Sequence, residues 1–118
     1  MKATLDTRDL FVNDYTVLKH CKHGYFLFNR NDQYIGRALD LYGEWCEHEI
    51  TTLAQLVRPG DIVIDIGANI GTHTIALANM VTSSGAVIAV EAQRLIFNYL
   101  VANVAINNFV HVLCVNNA

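Results

Sequence analysis

Long apolar runs and clusters of positive charge are both missing from this chain of 118 residues. No apolar run reaches the roughly 18 residues that cross a bilayer, so we expect no membrane partner. Basic residues never cluster, and the formal net charge is −3. Because nucleic-acid-binding proteins concentrate Lys and Arg, this balance predicts that the partners do not include nucleic acid.

Cysteine is scarce, and its spacing excludes two further classes. Cys21, Cys46 and Cys114 form an odd, widely spaced set, which favours a reducing compartment over a disulfide scaffold. The N-terminus shows no signal-peptide core, so we expect a cytoplasmic protein. Cys21 lies between His20 and His23 but without C-x-x-C spacing, so we predict no metal site.

One stretch of the chain combines a strand, a glycine turn and a helix start. The β-branched run Ile62-Val63-Ile64 ends on Asp65 and predicts a buried parallel strand. Gly67 and Gly71 permit a sharp turn and leave room for close approach to the backbone. Thr72 opens an apolar helical stretch that its hydroxyl is expected to cap. The pattern predicts a nucleotide-type site, with bare amides and a helix dipole facing the ligand.

The residue types in this turn indicate which ligand it accepts. Asn69 stands where the dinucleotide fingerprint needs its second glycine, and the Gly-Lys-Ser/Thr of a P-loop is missing. Asp65 would repel phosphates but suits an ammonium or sulfonium group. S-adenosylmethionine carries both. A nicotinamide-dependent oxidoreductase remains an alternative, against which Asn69 and Asp65 both argue.

The segment Asp65–Gly71 resembles the D-x-G-A-N-x-G signature of FkbM-type S-adenosylmethionine-dependent methyltransferases. The resemblance extends in order and spacing from about residue 34 to residue 118. The matching segments on either side are Leu41-Tyr42-Gly43-Glu44-Trp45, Arg58-Pro59-Gly60-Asp61, Val90-Glu91-Ala92-Gln93-Arg94 and Asn103-Val104-Ala105-Ile106-Asn107. It implies S-adenosyl-L-methionine as the cofactor.

A second acid, Glu91, follows the next predicted strand, Ala86–Val90. In a right-handed βαβ unit, both strand ends reach the same edge of the sheet. Glu91 is therefore expected near Asp65, where a carboxylate can accept hydrogen bonds from both ribose hydroxyls. The alternative, that Glu91 caps the next helix, does not exclude this role.

The resemblance also implies roles for individual residues. Asp65 would lie near the methionine or ribose end, Asn69 would contact the amino-acid part, and Asn117 would reach the adenine amine. The full set of predicted cofactor-binding residues is Asp65, Gly67, Ala68, Asn69, Gly71, Thr72, Glu91 and Asn117. No catalytic base is identified, since His73 is expected to be a helix-start residue that faces solvent.

The predicted architecture is an α/β, Rossmann-like class I methyltransferase fold, present in part. Residues 1–33 would form an extension with a β-hairpin, from the β-rich runs 15–20 and 24–28. Residues 34–118 would form an apparently truncated S-adenosylmethionine-binding domain with about three parallel core strands. Helices are expected at 34–42, 45–57, 72–81 and 93–106, and the strands near 62–65, 86–90 and 110–115.

The predicted function is methyl transfer from S-adenosylmethionine to the hydroxyl of a sugar, polyketide or similar small molecule, as the resemblance implies. The alternative is a non-catalytic or truncated half-domain that acts through self-association. In the usual strand order, the strand at 62–64 would lie at an open edge, and an apolar edge strand invites pairing. The sequence therefore predicts a possible homo-oligomer.

Overall fold

The computed structural model describes residues 9–118. Ten elements follow one another: β1 (Asp9–Val12), β2 (Thr16–His20), β3 (Tyr25–Asn29), α1 (Ile35–Tyr42), α2 (Glu47–Ala54), β4 (Ile62–Ile66), α3 (Thr72–Val81), β5 (Ala86–Val90), α4 (Arg94–Ile106) and β6 (Val112–Val115). They form a small antiparallel sheet and a parallel sheet with helices. The predicted α/β fold, a partial Rossmann-like methyltransferase domain, is confirmed.

The antiparallel sheet has the order β1-β2-β3 and contains the predicted hairpin. β1 was not expected, because the sequence up to Asp14 reads as a polar lead-in; residues 1–8 of that lead-in lie outside the described range. An ion pair holds the strand: Asp9 lies 3.1 Å from the buried ammonium of Lys19. Asp40 of α1 also lies 3.1 Å from that ammonium. Strands are predicted from an alternation of apolar and polar residues, and a strand that is held by an ion pair does not need that alternation.

The parallel sheet has the order β4-β5-β6, with Val63 opposite Val87 and Val87 opposite Val112. β4 continues one residue beyond Asp65, to Ile66. β6 begins later than predicted, because the Val112 amide donates to the Phe109 carbonyl and closes a turn first. Because the three strands are parallel, their carboxyl ends all lie at the same edge of the sheet.

One face of this parallel sheet is covered and the other is open. Leu77, Ala78 and Val81 of α3 pack with Val87, and Val63 packs against them. The opposite face carries no helix in the described part of the chain. It presents β-branched side chains of β4 and a leucine of β6 that are 61–79% exposed: Ile62, Ile64, Ile66 and Leu113. β4 is an edge strand, as predicted, and self-association through it stays a prediction.

The two sheets share one hydrophobic core. Val17, Phe26 and Phe28 of the antiparallel sheet are buried together with Ile75 of α3 and Leu100 of α4. The core therefore contains residues from both sides of position 33, where a boundary between an extension and a domain was predicted. That boundary stays a prediction, while the packing fixes the position of the antiparallel sheet against α4.

The helices before β4 are shorter than predicted. α2 begins only after Cys46, which has a left-handed backbone (φ 52°), and ends at Ala54. The buried residue of this helix is Ile50. Among residues 9–118, no helix has both the length and the apolar character needed to span a membrane.

Candidate functional site

The turn between β4 and α3 is fastened to the end of β5. The amides of Gly67 and Ala68 both donate to the Val90 carbonyl, at 2.9 Å each. Within the turn, the Gly71 amide donates to the Ala68 carbonyl at 3.0 Å. The turn is therefore a fixed platform at the carboxyl edge of the parallel sheet.

Glu91 lies directly beneath this platform and is only 7% exposed. Its Oε1 accepts a hydrogen bond from the Asn69 amide at 2.8 Å, and its Oε2 accepts one from the Gln93 amide at 2.9 Å. Each carboxylate oxygen has a second acceptor position. The carboxylate is thus oriented by two amides, and each of its oxygens keeps a further acceptor position.

Asp65 is held at the end of β4 by a residue of α3. The Thr74 hydroxyl, which is fully buried, donates to Asp65 Oδ2 at 2.6 Å. The structure therefore brings Asp65 and Glu91 to the same edge, on either side of the glycine turn, as the βαβ geometry requires.

The predicted bare amides are not found in the turn itself. Besides the four amides already described, the Ile70 amide donates to Asn69 Oδ1 at 2.9 Å, so every amide from 67 to 71 is satisfied internally. A phosphate cradle needs free amides, and only the first amides of α3 lack intrahelical partners. This arrangement argues against a dinucleotide site.

The predicted capping role of Thr72 is wrong. Gly71 is the N-cap of α3, with φ 98°, and no side-chain cap bond forms in the described part of the chain. Thr72 is instead the first helical residue and is buried. Its hydroxyl is therefore not committed to the backbone amides that a capping residue would satisfy.

The two turn glycines serve different purposes. Gly67 has φ 75°, and a Cβ built there would meet no described atom within 4 Å. Gly71 has φ 98°, and a Cβ there would lie 3.0 Å from Leu100 of α4. Gly67 faces the open space that a ligand can enter, whereas Gly71 permits helix packing.

Asn116, not Asn117, ties the end of β6 to the site. The Asn116 side-chain amide donates to the carbonyls of Glu91 and Ala92, at 2.8 and 3.1 Å. Asn117 is exposed, and its Oδ1 accepts a hydrogen bond from the Ala118 amide. The adenine contact assigned to Asn117 stays a prediction. The hydrogen bonds of Asn116 were not predicted from the sequence.

Asn103 of α4 was also missed as part of the site, although its segment carried the family resemblance. This side chain is fully buried and bonds both the amide and the carbonyl of Leu27, at 2.6 and 3.1 Å. It also donates to the Ile70 carbonyl at 2.8 Å. Asn107, one helical turn later, pairs with Tyr25 in the same way. The signal in the sequence that could have indicated this role is the pair of Asn residues four positions apart on an apolar helix.

Two histidine–carboxylate pairs lie near the start of α3. His73 Nε2 is 3.0 Å from Glu49 Oε1, and His23 Nε2 is 2.8 Å from Glu47 Oε1. Within residues 9–118, no group of three His, Cys, Asp or Glu side chains is arranged to hold a metal ion. His73 is thus occupied by a carboxylate partner, and no catalytic base is assigned.

Two thiols have shifted acidity. Burial raises the pKa of Cys46 above its usual range, and the charge and hydrogen bond of Glu49 raise it further. Burial alone raises the pKa of Cys114. Both side chains therefore stay protonated where an exposed thiol begins to ionise.

The model of the TRM5/TYW2 methyltransferase domain matches residues 38–118, well over half of the chain. The chain belongs to this family. It is a methyltransferase domain of a family that depends on S-adenosylmethionine. A search of curated protein sequences found no significant match.

Solved structures of TRM5/TYW2-type proteins share the fold. TYW2 of Pyrococcus horikoshii in complex with MeSAdo has a TM-score of 0.69 and 21% identity, covering 92% of this chain and 38% of its own. TYW2 of M. jannaschii in complex with AdoMet has a TM-score of 0.67 and 20% identity, covering 92% and 46%. Trm5b of Pyrococcus abyssi has a TM-score of 0.69 and 18% identity, covering 90% and 29%. The chain spans less than half the length of these proteins.

The family corrects two expectations from the sequence. The predicted S-adenosylmethionine-dependent methyltransferase is confirmed, but FkbM is a different branch that these matches do not support. The prediction that excluded nucleic acid is wrong, because members of the TRM5/TYW2 family methylate tRNA. The error arose because a net charge counts the whole chain, whereas an RNA contact needs only a local group of cations.

The residues of the site fit the cofactor. Open space beside Gly67 permits close approach, and Glu91 offers an oriented carboxylate to a ribose. The binding roles of the eight predicted residues are tested by none of the comparisons and stay predictions.

Proposed function

We propose that this chain is the cofactor-binding part of a methyltransferase that acts on tRNA. The match of residues 38–118 to the TRM5/TYW2 domain carries the proposal, since family members methylate tRNA. The predicted acceptor, a hydroxyl of a sugar, polyketide or similar metabolite, finds no support in that match. A tRNA acceptor agrees with the predicted cytoplasmic location, which stays a prediction.

Glu91 and Asp65 are proposed to hold opposite parts of the cofactor. Glu91, oriented by two backbone amides, would accept hydrogen bonds from the ribose hydroxyls. Asp65, fixed by the Thr74 hydroxyl, would lie toward the methionine or ribose end. Gly67 would let the cofactor approach the backbone of the turn.

Neither carboxylate is expected to act at the sulfur. S-adenosylmethionine supplies an electrophilic methyl group on a sulfonium, whose positive charge disappears during transfer. A carboxylate in contact with the sulfur would stabilise the charged ground state more than the transition state and so slow the reaction. The residues of this chain therefore bind and orient the cofactor, and rate enhancement comes from alignment with the acceptor.

Cofactor binding is tested first, by calorimetric titration of the purified chain with S-adenosylhomocysteine. We expect micromolar binding that weakens in Asp65→Ala and Glu91→Ala and is unchanged in Asp14→Ala, an exposed acid in the turn between β1 and β2. A folded chain without binding would contradict the proposed site.

Acceptor choice is tested by transfer of a tritium-labelled methyl group to unmodified tRNA transcripts and, separately, to sugar and polyketide alcohols. Label in the RNA alone is the expected result. Label in the alcohols alone would overturn the proposed substrate. Cofactor binding without transfer to either would contradict catalysis by this chain and favour the non-catalytic half-domain.

A further inference from the structure

A cavity of about 640 Å³ lies between the antiparallel sheet and α4, and the proposed cofactor contacts do not use it. Thr16 and Leu27 line it from β2 and β3, and Ile96 and Tyr99 line it from α4. Ile70 of the glycine turn completes this part of the wall. The cavity therefore adjoins the cofactor turn, and its volume is in the range of small-molecule sites.

The walls of this cavity are held together by one buried side chain. Asn103 bonds the backbone of Leu27 at two points and the carbonyl of Ile70 at a third. Leu27 belongs to the antiparallel sheet and Ile70 to the cofactor turn. Because the same amide fixes both, the cavity has a defined shape and a fixed position relative to the cofactor turn.

The lining combines apolar surface with a few polar groups. Tyr99 and Ile96 contribute an aromatic ring and an aliphatic wall, and Asn98 and Asp32 contribute polar atoms. Asp32 Oδ1 already accepts a hydrogen bond from the Tyr34 amide at 2.9 Å, but a carboxylate has further acceptor positions. Flat apolar walls with polar groups at the margin are the environment that an unpaired nucleobase requires.

Arginines lie next to lining residues of the cavity in a chain whose net charge is −3. Arg30 and Arg94 are exposed and adjoin, in the chain, the lining residues Asn29 and Leu95. Arg37 is also exposed, and its amide donates to the carbonyl of Asp32 at 3.0 Å. Arg30 Nη1 donates to the Asn13 carbonyl at 2.9 Å, and its other N–H groups are left to meet the phosphates that flank a bound nucleotide.

We propose that this cavity seats an unpaired nucleotide of the RNA acceptor. The base stacks on Tyr99, its hydrogen-bond donors reach Asp32 and Asn98, and the flanking phosphates meet Arg30 and Arg94. This inference rests on the proposed tRNA substrate and adds where the RNA is held. Part of the wall comes from residues before 38, outside the matched family domain.

A matched pair of tryptophan variants tests the cavity. Leu95 and Val101 are both exposed residues of α4, but only Leu95 lines the cavity. Leu95→Trp is expected to fill the space, weaken binding of an unmodified tRNA transcript about tenfold or more, and abolish quenching of a fluorescent adenine analogue placed in the RNA loops. Val101→Trp is expected to leave both readouts unchanged.

A second variant separates base recognition from general electrostatics. Asp32→Asn keeps an acceptor for the Tyr34 amide but removes a negative charge. General attraction of RNA predicts tighter binding in this variant, whereas recognition of base donors predicts binding that is weaker by about fivefold or more. Tighter or unchanged binding would contradict the contact proposed for Asp32.

The outcomes distinguish the cavity from the proposed function. S-adenosylhomocysteine titration of Leu95→Trp is expected to match the parent, since the cofactor contacts lie elsewhere. If Leu95→Trp binds tRNA and quenches the analogue as the parent does, the cavity is not the nucleotide site, although the tRNA substrate stands. If the parent neither binds nor methylates tRNA, the proposed function fails and the cavity proposal fails with it.

Discussion

The buried amide of Asn103 provides the strongest test of how the fold supports the site. Replacing it by leucine, in Asn103→Leu, keeps the side-chain size but leaves the amide and carbonyl of Leu27 and the carbonyl of Ile70 without their partner. Each unsatisfied buried group costs at least about 1 kcal/mol, so the free energy of unfolding should fall by about 3 kcal/mol. For a domain of 118 residues, this corresponds to a melting temperature lower by about 12 °C.

The matched control is Asn107→Leu, which removes the equivalent bonds to Tyr25. Those groups are exposed, so water replaces the lost partner, and we expect a loss of about 1 kcal/mol or less. Urea unfolding measures both variants. Asn103→Leu should also weaken S-adenosylhomocysteine binding, because the cofactor turn loses its anchor at Ile70, and Asn107→Leu should not. A loss below about 1 kcal/mol in Asn103→Leu would refute the reasoning.

Three further predictions concern single groups. Glu91→Gln should weaken S-adenosylhomocysteine binding at least about tenfold in calorimetry while the circular dichroism spectrum is kept, because a charge-assisted acceptor is lost; an unchanged affinity would exclude Glu91 from the ribose contact. Gly67→Ala and Gly60→Ala both place a Cβ at positive φ and should each cost about 1 kcal/mol in urea unfolding, but only Gly67→Ala should reduce cofactor binding. Cys46 and Cys114, with raised pKa values, should alkylate more slowly at about pH 8 in the folded chain than in urea, as mass spectrometry can measure. Because the unfolded thiols lose their protons first, stability should fall as pH rises beyond the usual thiol range; a stability that rises there would contradict the shift.

The sequence predicted the parts of the fold that are encoded locally. The strand Ile62–Ile66, the glycine turn and the helix from Thr72 follow one another within a few residues, and each has its own signal in residue type and period. The approach of Glu91 to the turn was also predictable, because βαβ handedness brings parallel strand ends to one edge. Chain order and elementary chirality were sufficient for these elements.

The rest depended on contacts between distant segments. Asn103 bonds Leu27 across 76 positions of the chain, and no local pattern marks such a partner. The strand β1 was missed for the same reason, since the buried Lys19 holds it through Asp9. The exclusion of nucleic acid was wrong because it rested on the net charge and on the lack of a basic run, and neither of these reports what the members of a family act on.

The one-sided parallel sheet has a consequence for mutational scanning of this chain. Ile62, Ile64 and Ile66 have the same β-branched character as Val63 between them, yet they are 61–79% exposed. Substitution by threonine or lysine at these three positions should therefore be tolerated almost as well as at a loop. At Val63, which packs against α3, the same change should deplete the variant from a library selected for folded protein. Tolerance should therefore alternate along β4, with tolerant positions at Ile62, Ile64 and Ile66 and intolerant positions at Val63 and at Asp65, whose carboxylate accepts the Thr74 hydroxyl.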